Sequence, residues 1–404
     1  MSKKYFPPLT KNEWWLTCLL LIPFAPYVYK LISPFFILAG LGAYTWIINP
    51  IILWIGILGS LNRIIRSCRI SDIFIFVLIC CSIVISTFIF PETRPFFKEN
   101  YIDFIIFVLP CYFIGLVINY DTDKNVLYYV SYIGILVILF WQVCQLLRLV
   151  EVNETSTGAL GEQMEQAYML LFPICNLFVL DRKTKLDGLM IFIGIALIFM
   201  MGTRGPILIL GLFLSTYLLF FKKFRKHNFL LKTTIAIAIP IFLINIKWIS
   251  LIAIPIAMAL GFSTRVFDSI VDERFNIKDS SGRDDIYGNV FDHLGSNEGI
   301  WGLGWGGDRL ITVDNIWTHN FELEILVQFG WFFGGILLII LFSIFVKCLI
   351  KTRHKCAQSF LYVMIFAGLM ELQLSSTYIR HPLLFVLIGY CISILRTKYF
   401  RSIN

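Results

Sequence analysis

The sequence has little charge for its length. Of its 404 residues, 15% are charged and 58% are hydrophobic, whereas soluble domains carry about 25% charged residues. This shortage excludes an ordinary soluble domain. Apolar stretches long enough to cross a bilayer core of about 30 Å as a helix recur along almost the whole chain. Because lipid offers the backbone no hydrogen-bond partner, these stretches predict helices rather than sheets.

Features that mark other protein classes are also missing. The chain has ten cysteines, but none lies in its long polar segment, residues 262–319, so we expect neither a disulfide framework nor a zinc site. The first apolar segment lacks a small-residue cleavage site. We therefore expect it to remain as a helix rather than to be removed as a signal peptide.

The apolar stretches predict an all-α polytopic membrane protein with about twelve transmembrane helices and one large external helical loop. The predicted spans are residues 13–31, 36–61, 73–90, 102–119, 127–149, 163–180, 186–202, 205–221, 229–260, 321–346, 357–378 and 383–395. Prolines at positions 23, 26, 34 and 50 interrupt the first two spans.

Lysine and arginine are concentrated in alternate connections between these spans. The clusters "FKKFRKHN" (221–228) and "KCLIKTRHK" (347–355) fall on the same side as both termini. The positive-inside rule places that side in the cytoplasm. The lysines and arginines behind the net charge of +8 therefore set the orientation in a bilayer through their distribution, and we expect no nucleic-acid partner.

One long polar segment, residues 262–319, falls on the external side. It contains Trp301, Trp305 and Trp317 among other aromatics, too many for a disordered loop. Its stretch "SGRDDIYGNVFDHL" (281–294) has apolar residues four apart and predicts a helix. The expected organisation is residues 1–260 as spans one to nine, 261–320 as an external loop domain, and 321–404 as spans ten to twelve with a cytoplasmic C-terminus.

Two external arginines admit two interpretations each. Arg204 lies in the turn "MGTRGP" (201–206); it either reaches lipid head groups or presents a permanently charged fork to a phosphate. Arg283 either pairs with neighbouring aspartates on the surface or binds an anion. The nearby "GLGWGGD" (302–308) lacks the strand and helix of a nucleotide loop, so we interpret it as a compact turn that approaches other elements closely.

The segment "WTHNFELE" (317–324) opens the tenth span. His319 is either a structural hydrogen-bonding residue or a general base. Glu322, three residues on, would then orient the imidazole and raise its basicity. His319 and Asn320 lie at a helix N-terminus, which suits an anionic ligand. We interpret Glu324 as an ordinary first-turn carboxylate.

Polar residues in two further spans predict a water-filled cavity. Glu165 and Tyr168 begin the sixth span, where a carboxylate also suits the helix N-terminus. Glu371 lies inside the eleventh span and Arg380 at its external end. A carboxylate at membrane depth is costly unless it is paired or solvated. These four residues, with Asn320 and Trp305, are candidates for binding an acceptor glycan; for Trp305 the alternative is packing within the loop domain.

Taken in order, these motifs resemble the O-antigen ligase and polymerase superfamily of membrane glycosyltransferases. The resemblance rests on "GTRGP", "SGRDDIY", "GLGWGG" and "HNFELEILVQFGWFFG" and covers about residues 150–382. It implies a GT-C-like fold in the bacterial cytoplasmic membrane, with the active site on the external face. The segment "EQMEQAYMLLFP" looks more like the repeat-unit polymerases than the ligases.

The resemblance also implies roles and partners. Arg204 and Arg283 would grip an undecaprenyl diphosphate that carries the glycan, and His319 would act on the acceptor hydroxyl, with inversion. We expect no cofactor and no metal site, because two arginines can stabilise the leaving diphosphate. A chain-length regulator and a flippase protein are the expected protein partners.

Three alternatives stay open. The first is an O-antigen ligase, which transfers lipid-linked glycan to lipid A core. The second is a flippase or transporter for lipid-linked glycan, although such proteins usually show matching broken helices in two halves. The third is a non-catalytic assembly subunit.

Overall fold

The structure, a computed structural model, is helical wherever it describes regular secondary structure. It describes residues 9–41, 48–96, 100–101, 103–120, 122–147, 156–180, 184–220, 251–252, 254–256, 258–259, 283–312, 317–352 and 355–396. No strand occurs in these ranges, which confirms the all-α prediction for this part of the chain.

Eighteen α-helices have defined limits. They are α1 (Lys11–Leu20), α2 (Ala25–Leu38), α3 (Ile48–Gly59), α4 (Leu61–Ser67), α5 (Ile70–Ile89), α6 (Arg94–Phe96), α7 (Cys111–Val117), α8 (Lys124–Leu146), α9 (Ser156–Met169), α10 (Leu171–Val179), α11 (Lys185–Met200), α12 (Arg204–Phe220), α13 (Arg283–Leu294), α14 (Asp308–Ile311), α15 (Phe321–Lys351), α16 (Lys355–Gly368), α17 (Glu371–Leu374) and α18 (Pro382–Arg396). Short 3₁₀ segments lie at Ile22–Phe24, Pro91–Thr93, Glu298–Ile300 and Tyr378–Arg380, and a π-helical segment at Phe104–Val108.

Within the described ranges, four helical stretches are long and apolar enough to cross a membrane. They are Ile70–Ile89, Lys124–Gln145, Phe321–Lys351 and Ala357–Leu374, and three shorter apolar stretches are Phe104–Val117, Gly205–Tyr217 and Pro382–Arg396. Large apolar side chains on α5 and on the second half of α15 are exposed, among them Phe74, Phe88 and Phe332. Such a continuous exposed apolar surface suits lipid rather than water.

Several predicted spans are not single helices in the structure, and a proline lies at or near each break. The span 13–31 divides into α1, a 3₁₀ turn containing Pro23, and α2. The spans 102–119 and 163–180 divide next to Pro110 and ahead of Pro173. Proline has no backbone N–H and its ring crowds the preceding turn, which weakens a helix at that point, although α2 continues through Pro34. Most of the predicted span 229–260 lies outside the described residues.

The predicted loop helix is confirmed as α13. Ile286 and Val290 of its apolar stripe are buried, and α13 packs against α15.

Close helix contacts hold the bundle core together. A Cβ atom at Gly115 of α7 would overlap the Val386 carbonyl oxygen of α18, and one at Gly389 would overlap the Tyr112 carbonyl oxygen. Glycines that allow backbones to approach this closely are typical of helix packing in membranes.

Buried ion pairs join segments that the sequence places on the cytoplasmic side. The Arg396 guanidinium donates two hydrogen bonds to the Asp72 carboxylate, at 2.6 and 2.5 Å, and the Tyr112 hydroxyl donates a third at 2.6 Å. Arg63 pairs with Asp123 at 2.6 Å. These contacts join segments that are separate in the sequence.

Helix α15 is broken at Gly330, which has φ 74° and ψ 157°. The break leaves the carbonyls of Val327 and Gln328 available, and the backbone N–H groups of Leu303 and Gly304 donate to them at 3.0 and 2.8 Å. The prediction that the glycine-rich turn approaches other elements closely is therefore confirmed. This contact fixes the external loop to the segment that follows His319.

We expect Gly330→Ala to destabilise the protein by at least about 2 kcal/mol, because a side chain at this backbone conformation is strained and its Cβ would overlap the Ile300 carbonyl oxygen. Thermal unfolding in detergent measures the effect. Gly335→Ala is the matched control, since nothing lies within 4 Å of its Cβ position. Equal stability of both variants would contradict the proposed break.

We expect a green fluorescent protein fused after Asn404 to fluoresce and an alkaline phosphatase inserted after Ser296 to be active, because the basic connections stay in the cytoplasm. Measurements in intact bacterial cells test both. The opposite pattern would show that the orientation is reversed.

Candidate active site

A cavity of about 720 Å³ lies between segments that are distant in sequence. Its wall is formed by residues from the N-terminal region, the π-helical segment, α9 and α10, the loop before α15, and the broken stretch between α17 and α18. Five predicted site residues line it: Glu165, Tyr168, His319, Glu371 and Arg380. Its volume falls within the usual range of ligand pockets, about 300–1,000 Å³.

His319 occupies a strained backbone position in this wall. Its φ angle is 53°, which is uncommon outside glycine and recurs at functional sites. The neighbouring Trp317 is buried, and the Arg309 guanidinium lies 4.0 Å from the centre of its ring. The His319 Nδ1 atom is buried and has no hydrogen-bond partner among the described residues. One nitrogen of the imidazole is thus available to a ligand.

Burial and the positive charge of Arg283 lower the pKa of His319 from its usual 6.5 to about 4. The imidazole is therefore neutral at pH 7 and can accept a proton. Since protonation opposes folding here, its contribution to stability is present above about pH 6.5 and is lost as the pH falls through about 4.

The expected partnership of Glu322 with His319 is not found. The Glu322 Oε1 atom accepts a hydrogen bond from the Gln373 amide at 2.8 Å instead. The pKa of His319 is accordingly lowered rather than raised. Residues three apart in one helix would face each other, but His319 precedes α15 and its left-handed backbone sets its side chain apart from that face.

Two of the predicted arginine positions converge near Tyr168. Arg283, the first residue of α13, acts electrostatically on both His319 and Tyr168. Arg204 begins α12, and its side chain lies outside the described part of the structure. The next residue, Gly205, is so close to the Tyr168 hydroxyl that a Cβ atom there would overlap it. The start of α12 therefore contacts Tyr168, which lines the same cavity as His319.

Glu371 and Arg380 have separate partners in the wall. The Oε2 atom of Glu371 lies 3.5 Å from His381 Nδ1, and His381 Nε2 lies 3.2 Å from the Ala367 carbonyl oxygen. Arg380 donates two hydrogen bonds to Asn100 Oδ1, at 3.1 and 2.6 Å. The carboxylate predicted at membrane depth is thus both paired and in contact with a cavity.

Two other predicted binding residues have structural roles. The Asn320 side chain caps α15 by accepting a hydrogen bond from the Leu323 N–H at 3.0 Å. Trp305 is packed among Tyr101, Phe104 and Phe329, and its indole N–H donates to Ser82 at 3.2 Å. Neither side chain lines the cavity, so core packing is the better interpretation of Trp305.

A buried polar network behind His319 was not predicted. Glu324 is fully buried, and its carboxylate accepts a hydrogen bond from the Thr377 hydroxyl, so its interpretation as an ordinary first-turn carboxylate is wrong. Gln328, one turn further on, donates to Asp308 at 2.8 Å and accepts from the Tyr378 hydroxyl. The spacing of Glu324 and Gln328 on one helix face was the only sequence signal.

Asp308 connects this network to the base. Burial raises the pKa of its carboxyl to about 6, although hydrogen bonds from the Gln328 amide and the Thr318 backbone N–H oppose the rise. Because Thr318 immediately precedes His319, this contact helps to hold the loop that carries the imidazole.

Comparison with known proteins adds no family: no family model, no curated protein and no solved structure matches the chain. Within the described ranges, no group of three or more His, Cys, Asp or Glu side chains could hold a metal ion.

We expect protein with isotope-labelled histidine to show an imidazole signal that titrates near pH 4 and is absent in His319→Gln. Arg283→Gln should raise this midpoint, because it removes the positive charge that opposes protonation. Nuclear magnetic resonance in detergent measures both. Arg94→Gln, an exposed arginine bonded to the Thr87 carbonyl, serves as control. A titration midpoint near pH 6.5 that does not change in Arg283→Gln would contradict the burial of His319 and its proximity to Arg283.

Proposed function

We propose that the chain is a membrane polysaccharide polymerase of the bacterial cytoplasmic membrane. It would join oligosaccharide repeat units linked to undecaprenyl diphosphate, on the external face. The observation that carries the proposal is His319 in the cavity wall, whose Nδ1 has no partner among the described residues and whose pKa the charge of Arg283 helps to lower, together with the contact of α12 with Tyr168 in the same wall. A base and a diphosphate-binding arginine are the two groups that this transfer requires.

The reaction follows from these groups. The acceptor hydroxyl oxygen forms a bond to the anomeric carbon of the donor while the bond from that carbon to the diphosphate oxygen breaks. His319 Nδ1 takes the hydroxyl proton, and the diphosphate leaves with the electron pair. Attack opposite the leaving group inverts the anomeric carbon. Arg283 and Arg204 would stabilise the negative charge on the leaving diphosphate by charge-assisted hydrogen bonds.

Arg283 would also make the base responsive to the substrate. In the free protein burial and, as the smaller cause, the charge of Arg283 hold the pKa of His319 at about 4, which makes the imidazole a weak base. A bound diphosphate would compensate the charge of Arg283 and so raise that pKa. Proton transfer to His319 would then be more favourable when the lipid-linked donor is in place.

Arg204→Ala, Arg283→Ala and His319→Ala are each expected to abolish chain extension, because removing one group that stabilises developing charge costs about 10²–10³ in rate. The assay uses purified protein with lipid-linked repeat units alone and resolves the products by length. Arg94→Ala and His293→Ala are matched controls that should keep the wild-type ladder.

Near-normal polymer from any two of the three variants would refute the catalytic assignment. A wild-type protein that makes no ladder without lipid A core, but modifies that core when it is added, would identify a ligase instead.

A further inference from the structure

Arg380 presents a positive charge to the cavity on the wall that it shares with Asn100 and Asp103. Its Nε and Nη2 atoms both donate to Asn100 Oδ1, at 3.1 and 2.6 Å. Asn100 is a neutral acceptor, so it orients the guanidinium without cancelling its charge. Asp103 lines the same cavity but forms no ion pair with Arg380 in the described structure. The remaining N–H groups of the fork are available to a ligand.

Asn100 is itself fixed in position. It is only 2% exposed, and its Nδ2 atom donates to the Phe96 carbonyl oxygen at 3.4 Å. This contact directs the Oδ1 atom toward Arg380. The buried Asn100 amide thus holds the exposed Arg380 guanidinium in one orientation. An arginine that only extends into solvent needs no such support.

The charge of Arg380 is separate from that of Arg283. Arg283 is the cation that acts on His319 and Tyr168, and Arg380 has no comparable effect on either. Arg283 therefore adjoins His319, whereas Arg380 is the one of these two arginines that lines the cavity. In the proposed transfer the diphosphate binds at Arg283, so Arg380 is left to contact the glycan.

We propose that Arg380 and Asn100 form an anion subsite for a negatively charged substituent of the glycan, a carboxylate or a phosphate on a sugar. The choice of a glycan as ligand rests on the proposed function. The remaining edge of the planar guanidinium, formed by Nη1 and Nη2, suits a carboxylate in particular. The repeat unit handled by this protein is accordingly acidic.

A binding experiment tests this subsite without turnover. Purified protein in nanodiscs is titrated with an oligosaccharide containing glucuronate, its glucose counterpart and farnesyl diphosphate. The wild type should bind the acidic oligosaccharide more tightly than the neutral one. Arg380→Gln should weaken binding of the acidic ligand by about tenfold or more, as expected for a lost hydrogen bond to a charged group, and leave the neutral ligand unchanged.

Asn100→Asp tests whether the charge of Arg380, rather than its position, attracts the ligand. The variant keeps the hydrogen bonds to Arg380 but adds a negative charge that neutralises the guanidinium. The acidic ligand should therefore lose about as much affinity as in Arg380→Gln. Arg94→Gln is the control. If both variants weaken farnesyl diphosphate instead, the anion subsite stands and its ligand is the diphosphate.

Two results would overturn the subsite: equal wild-type affinity for the acidic and neutral oligosaccharides with no change in diphosphate binding, or affinities within about twofold of wild type in both variants. A protein that shows the subsite but makes no polymer would refute only the proposed function.

Discussion

The cost of placing a charge in lipid organises this structure. A buried ionisable group is tolerated only if it is paired or reaches water, and the described residues follow that rule in two regions. At one end of the bundle, Asp72 with Arg396 and Asp123 with Arg63 are neutralised in direct ion pairs. Elsewhere the ionisable groups border a cavity, where Glu371 contacts His381 and Arg380 is held by the neutral Asn100. The first region stabilises the bundle, whereas the second keeps charge available for a ligand.

Broken helices allow that cavity to exist. The break at Gly330 lets the loop that contains Leu303 and Gly304 bind the carbonyls of α15. The irregular stretch from Gly368 to Pro382 supplies several residues of the cavity wall. Irregular backbone at membrane depth requires partners other than lipid, and here the loop and the buried network of Asp308, Glu324 and Gln328 provide them. That network also supports the strained backbone on which His319 lies.

Much of this arrangement was predictable from the sequence, for identifiable reasons. The length of the apolar stretches predicted the helical class, and the apolar residues spaced four apart predicted α13. The requirement that Glu371 be paired or solvated indicated a cavity, which Glu165, Tyr168, His319 and Arg380 also line. The predictions for Glu322 and Glu324 were wrong for physical reasons too. The partner of Glu322 is Gln373, far along the chain, and Glu324 is buried by residues around position 378. Local spacing cannot reveal such contacts, because they depend on how distant segments pack.

The account depends on where the lipid diphosphate binds. Electron cryomicroscopy of the protein with a phosphonate analogue of a lipid-diphosphate oligosaccharide, whose glycosyl bond cannot break, would locate it directly. The account predicts diphosphate density against Arg283 at the start of α13 and near the start of α12, with the first sugar facing His319 and the glycan extending toward Arg380. Density for the diphosphate at the opposite end of the bundle, beside Arg63 or Arg396, would contradict it.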